Sequence, residues 1–142
     1  MKAMIDTNVV IDYLDDRAPY ADDAEIIFDL CGQGKMTGVL SASAITDIYY
    51  VMRKIIGREK TLESLKLLFS VFEIADVGKR DLQRAMESDV TDFEDALVAV
   101  CAIRIKAECI VTRNVGDFKN APILSLSPRD FLSRFFPDDL KE

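Results

Sequence analysis

Residues 91–105, TDFEDALVAVCAIRI, are the stretch whose reading decides the fold. Three carboxylates, Asp92, Glu94 and Asp95, crowd the opening turn of a predicted helix, and eight apolar residues, 96–103, follow without a break. An amphipathic surface helix would interrupt such a run with polar residues on one side. The spacing therefore predicts a helix buried nearly all round, with a charged mouth. Thr91 followed three residues later by Glu94 matches a capping box, and acids are favoured near a helix N-terminus. That accounts for Glu94 and partly for Asp92. With Thr91 as N-cap, Asp95 falls at the fourth helical position, with Val98 and Ala99 as its neighbours one turn on. Capping gives no reason for a charge there. A buried carboxylate is costly unless a cation or hydrogen bonds compensate, so Asp95 needs a partner.

Outward from this helix, the composition narrows the chemistry. The chain has 142 residues, 49% of them hydrophobic and 30% charged, which suits one globular domain with a real core. No apolar run is long enough to span a bilayer, and the short N-terminal one is broken by Asp6. Cys31, Cys101 and Cys109 show no C-x-x-C spacing, which predicts reduced thiols and a cytoplasmic protein. There is no histidine. Ser-His-Asp and Cys-His catalysis and His-ligated zinc are thereby excluded. The net charge of −7 argues against a generally basic nucleic-acid surface. The charge is uneven, however. Lys35, Arg53, Lys54, Arg58, Lys60 and Lys66 face only Asp47, Glu59 and Glu63 across residues 35–66.

Short apolar runs alternate with helical patterns along the whole chain. Strands are predicted at residues 2–5, 37–40, 72–75, 109–112 and 122–125. Between and after them, helices are predicted at about 9–14, 20–30, 41–56, 61–72, 79–87 and 128–135, with Asp12, Asp15 and Asp16 of the first facing outward. This is an α/β pattern with a parallel sheet of about five strands. In such sheets the ligand site lies beyond the carboxyl ends of the strands. Asp6 ends the first strand, Asp47 lies in the first turns after the second, and Asp117 follows the 109–112 strand. Asp95 opens the buried helix leading into that strand. In a parallel sheet these four acids can converge on one edge, where they must bind cations or protonate. Oxygen ligands without His or Cys select Mg²⁺ or Mn²⁺. Such a site suits metal-assisted phosphodiester hydrolysis.

Four segments carry a resemblance: the apolar strand into Asp6-Thr7-Asn8, residues 43–47 (SAITD), residues 92–96 (DFEDA), and residues 110–114 (IVTRN) with Asp117-Phe118. In order and spacing they resemble the PIN-domain family and, within it, the VapC-type ribonuclease toxins of toxin–antitoxin modules. The resemblance spans almost the whole chain. It implies a single Rossmann-like, three-layer α/β/α domain over residues 1–142, a Mg²⁺ or Mn²⁺ site, and cleavage of RNA. It maps the metal ligands and catalytic acids onto Asp6, Asp47, Asp95 and Asp117. Many members carry Glu at the second acid, so Asp47 is a shorter arm. Asp6 and Asp95 are expected to hold the metal most directly. Thr7, Asn8, Asp92, Glu94, Thr112 and Asn114 are expected to support the site, and Arg113 either contacts substrate phosphate or is a surface arginine. A cognate antitoxin is the expected protein partner. A homodimer is expected from the resemblance and from Ile45, Ile48, Tyr49 and Met52 on one helix, of which the core can claim only part, and no membrane partner is expected. Two rival readings stand beside this one. The first is a non-catalytic PIN-like binding module whose acids receive a basic peptide. The second is a phosphatase with an aspartyl nucleophile, which needs an acid pair after the first strand that Thr7 and Asn8 do not supply.

Overall fold

The structure, a computed structural model, describes residues 1–140; the last two residues of the charged tail lie outside the described residues. In chain order the elements are β1 (Lys2–Ile5), α1 (Thr7–Leu14), α2 (Ala21–Gly32), β2 (Thr37–Ser41), α3 (Ala42–Ile56) and α4 (Arg58–Val71). There follow β3 (Glu73–Ala75), α5 (Lys79–Met86), α6 (Phe93–Arg104), β4 (Cys109–Val111), β5 (Ser125–Leu126) and α7 (Pro128–Phe135). Single 3-10 turns form at Val115–Phe118 and Pro137–Asp139. None of the helices is long and apolar enough to cross a membrane.

The strands pair in the order β3-β2-β1-β4-β5, every pairing parallel. Alternation along β1 and β4 sorts their side chains onto two faces. Ala3, Ile5, Cys109 and Val111 join a core with α1, α2, α3, α4 and α7, while Met4 and Ile110 join a second core with α5, α6 and Phe118. Both faces of the sheet are thus covered, which explains why the strands read as unbroken apolar runs. The three-layer α/β/α arrangement is the expected one. The chain runs from β1 outward to β2 and β3, then returns to the other side of β1 as β4 and β5. The order therefore reverses between β1 and β4, and a crevice opens at their carboxyl ends.

Several expectations need correction. The last strand lies at Ser125–Leu126 rather than 122–125, because Leu124 and Leu126 supply the carbonyls that accept from Ile110 and Thr112 of the β4 edge. Pro122 has no N–H to contribute to a ladder. The helix Phe93–Arg104 is not buried all round: Ile103 is 43% exposed and Phe93 47%. Asp12 does not face outward but is buried. On α3, Ile48 and Met52 are fully buried in the core, so they cannot belong to a dimer face.

One glycine is demanded by packing. A Cβ on Gly38 in β2 would stand 2.7 Å from both Cys31 Sγ and the Phe72 ring, which pack across the strand from α2 and the start of β3. Neither neighbour can retreat from a filled core without disturbing it. Gly38→Ala is expected to destabilise the protein by roughly 1–3 kcal/mol, read from the midpoint of urea unfolding. An unchanged midpoint would contradict this packing.

Candidate active site

Asp6 is the hub of the crevice. It follows β1 directly, in extended conformation, and caps α1, its Oδ1 accepting from Thr7 N–H at 2.9 Å. The adjacent strand β4 is followed at once by Thr112, whose buried hydroxyl donates to Asp6 Oδ2 at 2.8 Å. Asn8 Nδ2 donates to the same oxygen at 3.4 Å. Thr112 Oγ1 in turn accepts from Asn114 N–H at 3.0 Å, and Asn8 Oδ1 accepts from Arg113 N–H at 3.3 Å. Thr7, Asn8, Thr112 and Asn114 therefore surround Asp6 as the sequence suggested. Burial pushes the Asp6 carboxyl above the usual carboxylate range. The Thr112 and Thr7 hydrogen bonds oppose that rise, and the Asp117 charge adds to it.

Asp95 arrives from the other layer, at the mouth of α6. Here the cap differs from the expected one. Asp92, not Thr91, is the N-cap, and its side chain accepts from Asp95 N–H at 3.0 Å. Asp95 is therefore the third helical residue, where an acid is common in capping boxes. Position alone no longer sets it apart; its surroundings do. The Asp95 carboxyl is pushed up to about 6, first by burial and then by the charges of Asp92, Asp6, Asp117 and Glu94. An acid stabilised by capping would move the other way. Glu94, expected to cap, instead faces Asp47 of α3, and that charge is the largest influence raising its carboxyl.

Asp6, Asp47, Glu94 and Asp95 line one depression of about 680 Å³, together with Asn8 and Asn114. Asp95 also lines a second depression of about 500 Å³, which holds Asp92, Asp117 and Lys119. Asp95 is thus the wall between them, and Asp117 reaches the cluster from its far side. Ser43, Arg17, Val51 and Phe93, which also line the first depression, are not among the expected site residues. Ser43 was recoverable, since it lies one helical turn before Asp47. Phe93 is an apolar residue inside an acidic helix mouth, which is itself a signal. Tyr50 also lines this depression and is 56% exposed.

Two residues behave differently from the rest. Arg113 lines neither acidic depression. Its Nη2 donates to Asp12 Oδ1 at 3.2 Å, and its guanidinium lies over the Tyr20 ring, 4.1 Å from the centroid. Asp12 accordingly sits inside the protein as half of an ion pair.

Among the described residues, no three Asp, Glu or Cys side chains stand close enough to form a ready-made metal cage. The donors are all hard oxygens, and a cation would relieve their mutual repulsion. This chemistry fits Mg²⁺ or Mn²⁺ held by one or two carboxylates with the remaining positions filled by water.

The Asp95 shift has a consequence for stability. Over the interval between 3.8 and about 6 the folded protein keeps a proton on Asp95 that the unfolded chain has lost. The group therefore contributes stability fully below 3.8, and the contribution is lost as pH rises through about 6. In the presence of chelator, Asp95→Asn is expected to melt above wild type at neutral pH, with the gap closing as pH falls to about 4. A gap independent of pH would contradict the electrostatic assignment.

Comparison with known proteins accords with this geometry. Ribonuclease VapC1 of Aquifex aeolicus is 27% identical over 139 residues, spanning 94% of this chain and 95% of that protein. The structure of VapBC2 from Rickettsia felis bound to a DNA fragment from their promoter superposes with a TM-score of 0.71 at 21% identity, covering 89% of this chain and 98% of that one. A toxin–antitoxin complex from Klebsiella pneumoniae gives a TM-score of 0.66 at 20% identity, covering 89% and 97%. Residues 2–116 match the PIN domain family, and by that match the chain belongs to it.

Proposed function

We propose that this protein is a Mg²⁺- or Mn²⁺-dependent endoribonuclease, the toxin of a toxin–antitoxin pair, and that Asp6, Asp47, Asp95 and Asp117 hold the ion. One observation carries the reading: an Asp95 carboxyl pushed to about 6 among like charges at the crevice between β1 and β4. The ribonuclease name of the Aquifex aeolicus relative supports the reaction class. When bound, the cation activates water and offsets charge on the scissile phosphate.

The protein's own groups set the stage for that step. Thr7 N–H and Thr112 Oγ–H each hold one oxygen of Asp6, which keeps the carboxylate aimed while leaving lone pairs for the cation. Asp95, with Asp47 and Asp117, would hold the ion together with Asp6, with water filling the remaining positions. Tyr50 and Phe93 offer exposed rings beside the carboxylates, on which substrate bases can stack. Exposed Arg53, Lys54, Arg58, Lys60 and Lys66 on α3 and α4 supply positive charge for phosphates on an otherwise acidic protein.

The Klebsiella pneumoniae neighbour is a toxin–antitoxin complex, which supports an antitoxin as partner. Such a partner would offer Arg or Lys to the carboxylates. A homodimer is proposed on other residues than those first expected: Ile55, Leu67 and Phe69 of α3 and α4 are 47%, 42% and 55% exposed. A monomer by light scattering at high concentration would remove it.

The central test uses cleavage of a structured RNA with Mn²⁺. Asp6→Asn and Asp95→Asn are expected to lower kcat by orders of magnitude and weaken Mn²⁺ binding. Asp92→Ala should lose about 1 kcal/mol of stability as a cap and keep most of its activity. Tyr50→Ala and Phe93→Ala should raise KM, each by about 5–150-fold, the equivalent of ~1–3 kcal/mol of stacking. Full activity in Asp95→Asn would sink the metal-site assignment, and calorimetry showing no divalent cation bound would favour a non-catalytic module. Solvent ¹⁸O appearing in Asp6 during turnover would favour the aspartyl phosphatase.

A further inference from the structure

The Asp12–Arg113 pair lies outside both acidic depressions and has no part in the reaction described above. Asp12 is 1% exposed on α1, and Arg113 lies two residues past the end of β4. Besides the Nη2 bond, Arg113 Nε lies 2.6 Å from Asp12 Oδ2, although its N–H is not directed at an acceptor and finds no hydrogen-bond partner. Tyr20 covers the guanidinium. A buried pair of this kind is seldom the most stable filling for its volume, since apolar residues avoid the desolvation of both charges. What apolar residues lack is direction, which a planar guanidinium against a carboxylate supplies.

That direction has a definite target. Arg113 grips α1 at two points four residues apart, on one face of the helix: its backbone N–H at Asn8 Oδ1 and its side chain at Asp12. The residue before it, Thr112, holds Asp6. The residue after it, Asn114, is tied to Thr112 Oγ1, and the Asn114 carbonyl accepts from Asp117 N–H at 3.0 Å. Asp6 caps the same helix that Arg113 grips. Rotation of the 112–114 segment would therefore disturb the Asp6 hydrogen bonds and the turn bearing Asp117 together.

We infer that Arg113 is a positioning residue: paired with buried Asp12, it clamps the segment after β4 onto α1 and so holds Asp6 and Asp117 in the arrangement that binds the divalent cation. The inference rests on the cation site proposed above and gives Arg113 a role other than gripping substrate phosphate. It acts through the ligands and touches neither the cation nor the RNA.

The test uses two variants of the full chain. Arg113→Lys keeps the charge and loses the fork. The double variant Asp12→Leu/Arg113→Met replaces the pair with apolar side chains, a change that buried ion pairs tolerate well in stability. Melting temperature, the Mn²⁺ Kd by calorimetry without RNA, and kcat and KM are measured for each. Both variants should fold. Each should bind Mn²⁺ about 10–100-fold more weakly, as loss of a group that orients metal ligands does. In each, kcat should fall while KM for RNA stays near wild type. A double variant with wild-type Mn²⁺ affinity and kcat would make the pair purely structural and overturn the inference. A raised KM with unchanged Mn²⁺ affinity would overturn it in favour of a direct RNA contact. Wild-type protein that binds no Mn²⁺ or Mg²⁺ would overturn the cation site itself, a result visible before any variant is made.

Discussion

The 2.8 Å hydrogen bond from Thr112 Oγ to Asp6 Oδ2 joins the carboxyl ends of β1 and β4, and the rest of the site depends on it. It spans the point where the strand order reverses, with α1 leaving from Asp6 and the 112–118 segment leaving from Thr112. A parallel sheet delivers every strand end to the same edge. It does not aim the side chains it delivers. Here the aiming is done by short-range hydrogen bonds: Thr7 and Thr112 on Asp6, Thr112 on Asn114, and Asn8 on Arg113. The fold brings the acids near one another, and this polar lattice fixes the direction in which one of them points.

The layers were legible in the sequence because they rest on local patterns. Short apolar runs ending in acids or hydroxyls mark β1 at Asp6 and β2 at Ser41, and both are followed at once by a helix those residues cap. Pro128 at the start of α7, after the capping Ser127, placed that helix correctly for the same reason. What was misjudged depends on contacts far apart in the chain. Asp12 was assigned outward by helical spacing, because its partner Arg113 is 101 residues away. Ile48 and Met52 are the part of the Ile45, Ile48, Tyr49 and Met52 set that the core claims, and periodicity cannot say in advance how much of a helix face the core will take. The cap of α6 moved by one residue because Thr91 and Asp92 are both competent caps, and the backbone chose Asp92. That shift removed the original reason for singling out Asp95 while leaving Asp95 in the site. Besides the local Asp92 and Glu94, like charges reach it from two other segments, at Asp6 and Asp117, which no local pattern contains.

Comparison of three acids within this one protein separates structural charge from functional charge. Asp81 is buried on α5, yet its carboxyl lies below the usual range: Gly78 N–H donates to it at 3.0 Å and Arg104 Nε at 2.9 Å. Asp12 is more deeply buried, and burial outweighs the help from Arg113, so its carboxyl moves up despite a cation in contact. Asp95 has no cation among the influences that move it; burial and four carboxylates all act in one direction. The hydrogen bond recorded at this residue comes from its own backbone N–H to Asp92 and does nothing for its carboxylate. Asp81 fits what a fold does with an acid it uses for stability, which is to surround it with donors. Asp95 fits the opposite rule: a group kept in conflict with its neighbours, stable enough because the rest of the core carries it. On this comparison the burial of an acid is uninformative by itself. The sign of its neighbours decides whether it belongs to the scaffold or to the site.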